Sequence, residues 1–190
     1  ALVPLLSDLD ALATDGLARV RLLYLYPSEL RDPLVSTMLE LDTVVPYFDL
    51  SLQHASAPLL RRMKRWGNGE KFLAAIEGIR AQRPDATFRS SFIVGFPGET
   101  EADHGALLGF LADAALDWAG LFAFSPEDGT AAADLDGAVD DAVVAERLRE
   151  CSEVQDPITA AACDALVGTE VEVLVDATES GDAIGRTGRE

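Results

Sequence analysis

Four apolar runs, Val20–Tyr26, Val44–Gln53, Thr87–Val94 and Trp118–Ser125, are each followed by a stretch with helical or loop character. This alternation constrains the chain more than any other feature. Strand and helix in strict turn imply parallel pairing through right-handed crossovers. The spacing predicts helices over Pro33–Leu41, Pro58–Lys64, Glu70–Gln82, Glu101–Ala115 and Ala142 to about Gln155. Asp156-Pro157 reads as an N-cap with Pro at the first helical position, restarting a helix that runs to Leu166. Four such units without a closing set make part of a (β/α) barrel, since a whole one takes ~250 residues. From Gly168 the period changes: "TEVEVLVDATESGDAIGRTG" alternates with period two and turns at Ser180-Gly181, an antiparallel hairpin. The expected class is α/β, with residues 1–166 the carboxy-terminal portion of a barrel and 167–190 the start of a small antiparallel β domain.

Bulk properties narrow the function classes. No apolar run reaches the ~18 residues that cross a membrane. The opening "ALVPLLSDLDALA" has no basic leader and reads as an amphipathic helix, and the missing initiator Met implies a start inside a longer protein. Cys151 and Cys163 form neither a disulfide framework nor a metal quartet, so reduced thiols in the cytoplasm are expected. A formal charge of −18 argues against direct nucleic-acid binding, because phosphates reward a basic face.

In parallel α/β sheets ligands lie beyond the carboxyl ends of the strands, and the unusual residues of this chain fall there. "PYFDLSLQHAS" places Asp49, Ser51 and Gln53 on one side of a strand and ends in His54. On the third strand Thr87, Arg89, Ser91 and Ile93 share one face. Arg89 is costly to bury without an anion; either an internal Asp49–Arg89 pair or a ligand carboxylate supplies one, with Gln53 and Ser91 placed to hydrogen-bond a sugar or amino group. "IVGFPGET" combines Gly95 and Gly98, which admit positive φ, with a stiff Pro97. Thr100 and Asp103 fit a capping box. That loop is either a tight strand-to-helix turn or a cradle whose free amides and apolar Phe96 hold a flat heterocycle. His104 sits on a helix flank with no role. "RRMKR", Arg61 to Arg65, reads as a solvated helix face or as a means of steering an anion.

Taken together, "LYLYPSEL", "PYFDLSLQHAS", "LRRMKRWGNGEKF", "FRSSFIVGFPGETEAD" and "GLFAFSPEDGTAA" resemble the radical S-adenosylmethionine methylthiotransferases. The phrases "YPS", "LQHAS" and "SPEDGT" look like the branch that modifies an aspartate β-carbon of a small-subunit ribosomal protein. "GDAIGRTG" looks like the start of the terminal TRAM domain. The resemblance implies S-adenosylmethionine as cofactor, [4Fe–4S] clusters and an electron donor. It implies that Gly95, Phe96, Pro97, Gly98 and Glu99, with Phe124 and Ser125, frame the adenine, while Gln53, Arg89 and Ser91 approach the ribose and methionine.

One departure stands out. The family's cluster ligands, a C-x3-C-x2-C triplet, are absent, and cysteines twelve apart in a helical region cannot replace them. A carboxy-terminal fragment, inactive alone, is the expectation. Asp and Glu outnumber Lys and Arg ten to two between Pro126 and Asp156 and six to two from Gly168 onward, which suits a basic ribosomal protein as substrate. The alternatives are a tRNA adenosine methylthiotransferase and a non-catalytic binding module that keeps only the cofactor edge.

Overall fold

The computed structural model describes residues 2–179 and 182–187. Helix α1 (Leu2–Ala11) runs into a 3-10 turn at Leu12–Asp15, followed by an extended segment, a second 3-10 turn at Pro27–Glu29 and α2 (Asp32–Glu40). Strands β1 (Tyr47–Gln53), β2 (Thr87–Val94) and β3 (Trp118–Ala123) follow, separated by α3 (Ala57–Arg62), α4 (Gly69–Gln82) and α5 (Glu101–Ala114). Helix α6 (Asp141–Asp164) and the hairpin β4 (Val173–Glu179) and β5 (Asp182–Thr187) complete the order.

The three central strands pair in parallel in the order β1-β2-β3. Their alternation gives the sheet two unlike faces. On one, Phe48, Leu50, Phe88, Phe92 and Val94 are buried and join Phe72, Ile76, Leu107, Phe110 and Leu111 from the helices in one core. Phe48 stacks on Phe88 at 5.3 Å, and Phe92 meets Phe110 edge-on at 6.0 Å. The other face carries Asp49, Ser51, Arg89, Ser91, Ile93, Trp118, Gly120 and Phe122; all except Asp49 are partly or largely open. The helices lie on the apolar side, as in one wall of a barrel.

Two expected elements differ. Val20–Tyr26 is not a continuous strand but touches β1 and its approach through single bridges at Val20–Val44 and Leu25–Leu50. Leu25 donates to the Asp49 carbonyl (2.7 Å) and accepts from the Ser51 N–H (2.9 Å). Tyr24, with φ 57°, is left-handed, and that twist breaks the ladder. β1 likewise starts at Tyr47 rather than Val44, Pro46 having no N–H to donate.

Helix α6 is the second. It runs without a break through Pro157, where a restart was expected. Its N-cap is Asp140, whose carboxylate accepts from the Ala142 N–H (2.9 Å). Proline forfeits one i to i−4 bond, but tertiary bonds bracket it. Gln155 Nε2 donates to the Leu116 carbonyl (2.8 Å), and Thr159 Oγ1 donates to that of Asp117 (3.0 Å). These anchors tie the helix to the approach to β3 on both sides of the proline.

The terminal strands form the antiparallel hairpin read from the period-two pattern, pairing from Val173–Thr187 to Glu179–Asp182. The turn expected at Ser180-Gly181 lies outside the described residues. No helix among the described residues is long and apolar enough to cross a membrane. Because tertiary bonds rather than propensity carry α6 through its proline, Pro157→Ala should raise unfolding stability by roughly 1–3 kcal/mol. Denaturant titration checks this; a loss of stability would mean that Gln155 and Thr159 need the distortion.

Candidate functional site

The turn after β2 is shaped by two glycines. Gly95 and Gly98 have φ of 81° and 86°, and a Cβ on Gly95 would lie 2.4 Å from Val144, so α6 packs directly on the turn. The Gly95 N–H donates to Glu99 Oε2 (2.6 Å), the Glu99 N–H to the Phe96 carbonyl (2.9 Å), and the Gly98 N–H to the Gly137 carbonyl (2.7 Å). The amides of Gly95, Gly98 and Glu99 are thus engaged within the protein, which corrects the expectation that the loop's amides stand free. Phe96 is buried and meets Phe124 edge-on at 5.1 Å. Thr100 and Asp103 form the expected capping box at the start of α5.

Glu99 is buried and pairs with Arg147 Nη1 at 3.0 Å; Arg147 also donates to the Glu99 carbonyl and reaches Glu101. Burial pushes the Glu99 carboxyl up, against the lowering effects of the Gly95 N–H and of Arg147. The carboxylate therefore braces the turn from inside.

Behind the turn lies a polar cluster. His54 is fully buried; its Nδ1 accepts from the Ser56 N–H (3.0 Å), which leaves the ring proton on Nε2, where the protein supplies no partner. Ser56 Oγ donates to Asp103, joining the end of β1 to the start of α5. His104, given no role on its helix flank, is buried against Glu150 of α6 at 2.6 Å. Burial is the main cause that lowers the His54 pKa to about 4, with Asp103 acting in the opposite sense.

The segment 126–140 folds over this edge as a strap. Beneath it a cleft of about 500 Å³ is lined by Gly95, Pro97, Phe124, Leu135, Val144 and Leu148 among others. Three of the ten residues singled out from sequence, Gly95, Pro97 and Phe124, therefore share one cavity. Phe96, Gly98 and Glu99 belong to the same turn but do not line the cleft, and Ser125 is exposed, its hydroxyl donating to Glu127 (3.2 Å).

Arg89 and Ser91 lie elsewhere, on the open face of the sheet, and Gln53 ends β1 opposite Phe92 after a slip in register. Arg89 Nη1 pairs with Asp49 Oδ1 at 3.0 Å, the internal pair that the sequence left open. Asp49 also accepts from the Tyr24 N–H (3.3 Å). The Arg89 side chain keeps 27% of its surface exposed, so the pair does not seal it. Gln53 ends β1 in a left-handed conformation (φ 68°) beside a break in register; such strain tends to gather at functional sites. A second hollow of about 520 Å³ opens between α4 and α5 and contains none of these residues.

Sequence reasoning missed Arg62 and Arg147. Arg62 looked like one cation of a solvated run, yet its Nε donates to the Pro97 carbonyl (2.7 Å). Only their tertiary partners distinguish these arginines from their neighbours.

The residues present do not suit an iron–sulfur cluster. Cys151 is buried in α6, its thiol pushed up to about 12 mainly by burial, and Cys163 lies twelve residues on. Among the described residues no group of three or more His, Cys, Asp or Glu could hold a metal. A nucleoside-sized ligand suits the cleft better: its volume is ordinary for a small-molecule site, and its lining is apolar with an aromatic ring.

No protein-family model matches the chain. It is 50% identical over 182 residues to the ribosomal protein uS12 methylthiotransferase RimO of Cutibacterium acnes, covering 96% of this chain and 37% of that protein. It is 49% identical over 189 residues to the RimO of Saccharopolyspora erythraea, covering 95% and 39%. To the RimO of Moorella thermoacetica it is 50% identical over 167 residues, covering 88% and 39%. The chain thus spans about two fifths of the length of these curated relatives. In fold it is similar to coproporphyrinogen III oxidase (HemN) from Escherichia coli, described as a radical SAM enzyme, with a TM-score of 0.67 over 82% of this chain and 37% of that one. The identity there is 14%, so the likeness concerns fold alone. It bears out a partial radical SAM (β/α) architecture.

The buried His54 generates a pH prediction. Its folded pKa, about 4, lies below the ordinary 6.5, so the unfolded chain binds the proton more readily. The stability tied to neutral His54 is complete above about pH 6.5 and is lost as pH falls toward 4, amounting to roughly 3 kcal/mol. The raised Glu99 pKa works in the opposite sense. Urea titrations of wild type and His54→Asn across pH 4–7 isolate the histidine: their difference in unfolding free energy should narrow as pH falls. A difference independent of pH would contradict the buried neutral ring.

Proposed function

We propose that this chain, which belongs to the radical S-adenosylmethionine methylthiotransferase family, supplies the cofactor-facing edge of an enzyme that methylthiolates ribosomal protein uS12 at an aspartate β-carbon. The observation that carries the reading is the placement of two complementary surfaces on β2. An apolar cleft holds Gly95, Pro97 and Phe124 at the strand's carboxyl end, while the open face of the same strand presents Arg89 and Ser91, with Gln53 on the neighbouring strand. An amphiphilic ligand with a flat base at one end and an amino-acid group at the other matches that division.

In this reading the cleft takes the adenine of S-adenosylmethionine, and Phe124 gives it an apolar contact. Gln53 and Ser91 hydrogen-bond the ribose or the amino group. Arg89, steadied by Asp49, turns its remaining N–H groups toward the methionine carboxylate. The chemistry that S-adenosylmethionine supplies in this family is hydrogen-atom abstraction. Cluster ligands and the electron donor come from outside the residues of this chain. The hairpin β4–β5 is the start of a TRAM-like domain within residues 167–190, the remainder being barrel, and the setting is the cytoplasm.

The acidic surface favours a protein substrate. Ten carboxylates against two cations between Pro126 and Asp156 would attract a basic ribosomal protein and repel RNA. The six-to-two excess from Gly168 onward speaks equally against the tRNA-directed branch.

The test is anaerobic reconstitution of the full-length protein, followed by mass spectrometry of uS12 for a methylthio group on aspartate. A modified tRNA with unmodified uS12 would overturn the reading. In the same preparation Phe124→Ala should weaken S-adenosylmethionine binding about three- to tenfold, as expected for a lost aromatic contact. Arg89→Ala should weaken it at least as much, because a charged hydrogen bond is worth roughly 1.5–3 kcal/mol. An unchanged dissociation constant for Arg89→Ala would reduce that residue to a partner of Asp49.

A further inference from the structure

The strap 126–140 has no regular secondary structure, yet it is pinned to the turn after β2 along one seam. Arg62, reaching over from α3, donates through Nε to the Pro97 carbonyl (2.7 Å) and through Nη2 to the Asp136 carbonyl (2.5 Å). One acceptor lies on each side of the seam, so a single guanidinium bridges it. Beside that bridge the Gly98 N–H donates to the Gly137 carbonyl (2.7 Å). Gly137 has φ 88°, and a Cβ on it would lie 3.1 Å from the Gly98 nitrogen and 3.2 Å from its Cα. A Cβ on Gly98 would in turn lie 2.9 Å from Arg62 Nε. Strap and turn therefore touch backbone to backbone, with the arginine fork closing the contact. Ala132, Ala133 and Leu135 of the strap line the cleft that this seam encloses.

We propose that Arg62 is a positioning residue for cofactor binding: it staples the strap to the turn and so keeps the cleft lined by Gly95, Pro97 and Phe124 closed around its ligand. The ligand side of this rests on the reading of that cleft as the nucleoside site; the staple itself does not. Arginine suits the task because its planar fork holds two acceptors at fixed spacing, whereas lysine offers a single point of attachment. Arg62 is exposed and outside the core, so replacing it leaves the fold intact.

The experiment uses the full-length reconstituted enzyme and the variants Arg62→Gln, Arg62→Lys and Gly137→Ala. Without cofactor, a protease specific for acidic residues reports the strap, which offers Glu127, Asp134 and Asp136. Arg62→Gln should be cut there about tenfold faster than wild type, the loss expected for one charged hydrogen bond, Arg62→Lys at an intermediate rate, and Gly137→Ala also faster, because its Cβ would crowd the Gly98 backbone. Unaltered cleavage in Arg62→Gln overturns the staple. In turnover, Arg62→Gln should raise the KM for S-adenosylmethionine about tenfold and change kcat far less, with partial rescue in Arg62→Lys. A loosened strap with an unchanged KM overturns the positioning role. Failure of S-adenosylmethionine to slow cleavage of the wild-type strap overturns the nucleoside reading, whatever Arg62 does, and the positioning role with it.

Discussion

The edge of this sheet is organised around one buried carboxylate. Glu99 accepts the Gly95 N–H that closes the turn and pairs with Arg147, which α6 sends in from the far side. A charge in that position is tolerable only while both contacts persist; removing one partner of such a pair costs about 3–5 kcal/mol. The turn, the start of α5 and the body of α6 are consequently held as a unit, since Arg147 also reaches Glu101. The cleft beneath the strap is built on that unit. The Gly95–Val144 contact needs α6 in place, and the cleft needs the contact.

The sheet divides its labour by face. Stacked phenylalanines and the helices behind them exclude water from one side, which gives the strands their rigidity. The opposite side can then carry Asp49, Arg89 and Ser91 without loss of the core. Asp49 serves two neighbours, holding Arg89 and receiving the Tyr24 N–H, so the one left-handed residue of the preceding segment is tied to the same carboxylate. The arrangement explains why a polar pattern interrupts otherwise apolar strands.

Much of this was legible in the residues alone. Period-two alternation located β1, β2 and the hairpin, and the glycines of "GFPGE" announced positive φ because few other residues adopt it. The Thr100–Asp103 box was likewise visible, being local. What escaped reading was long-range. Tyr24 gives no sequence sign of a left-handed backbone. Pro157 looks like a helix start, since the carbonyls of Leu116 and Asp117 that carry α6 past it are about forty residues away. Arg62 is indistinguishable from Arg61 until the Pro97 carbonyl is beside it. The same limit applies within the site: Gly95, Pro97 and Phe124 converge, whereas Glu99, expected among the residues that frame the adenine, turns its side chain inward to Arg147.

The bonds that complete the cleft join points far apart in the chain, with 74 positions between Arg62 and Asp136 and 48 between Glu99 and Arg147. A polypeptide emerging from the ribosome presents its amino-terminal parts first. The sheet and the turn after β2 are therefore made before the strap and α6, and the cleft takes shape only once α6 has been delivered to Gly95 and Glu99.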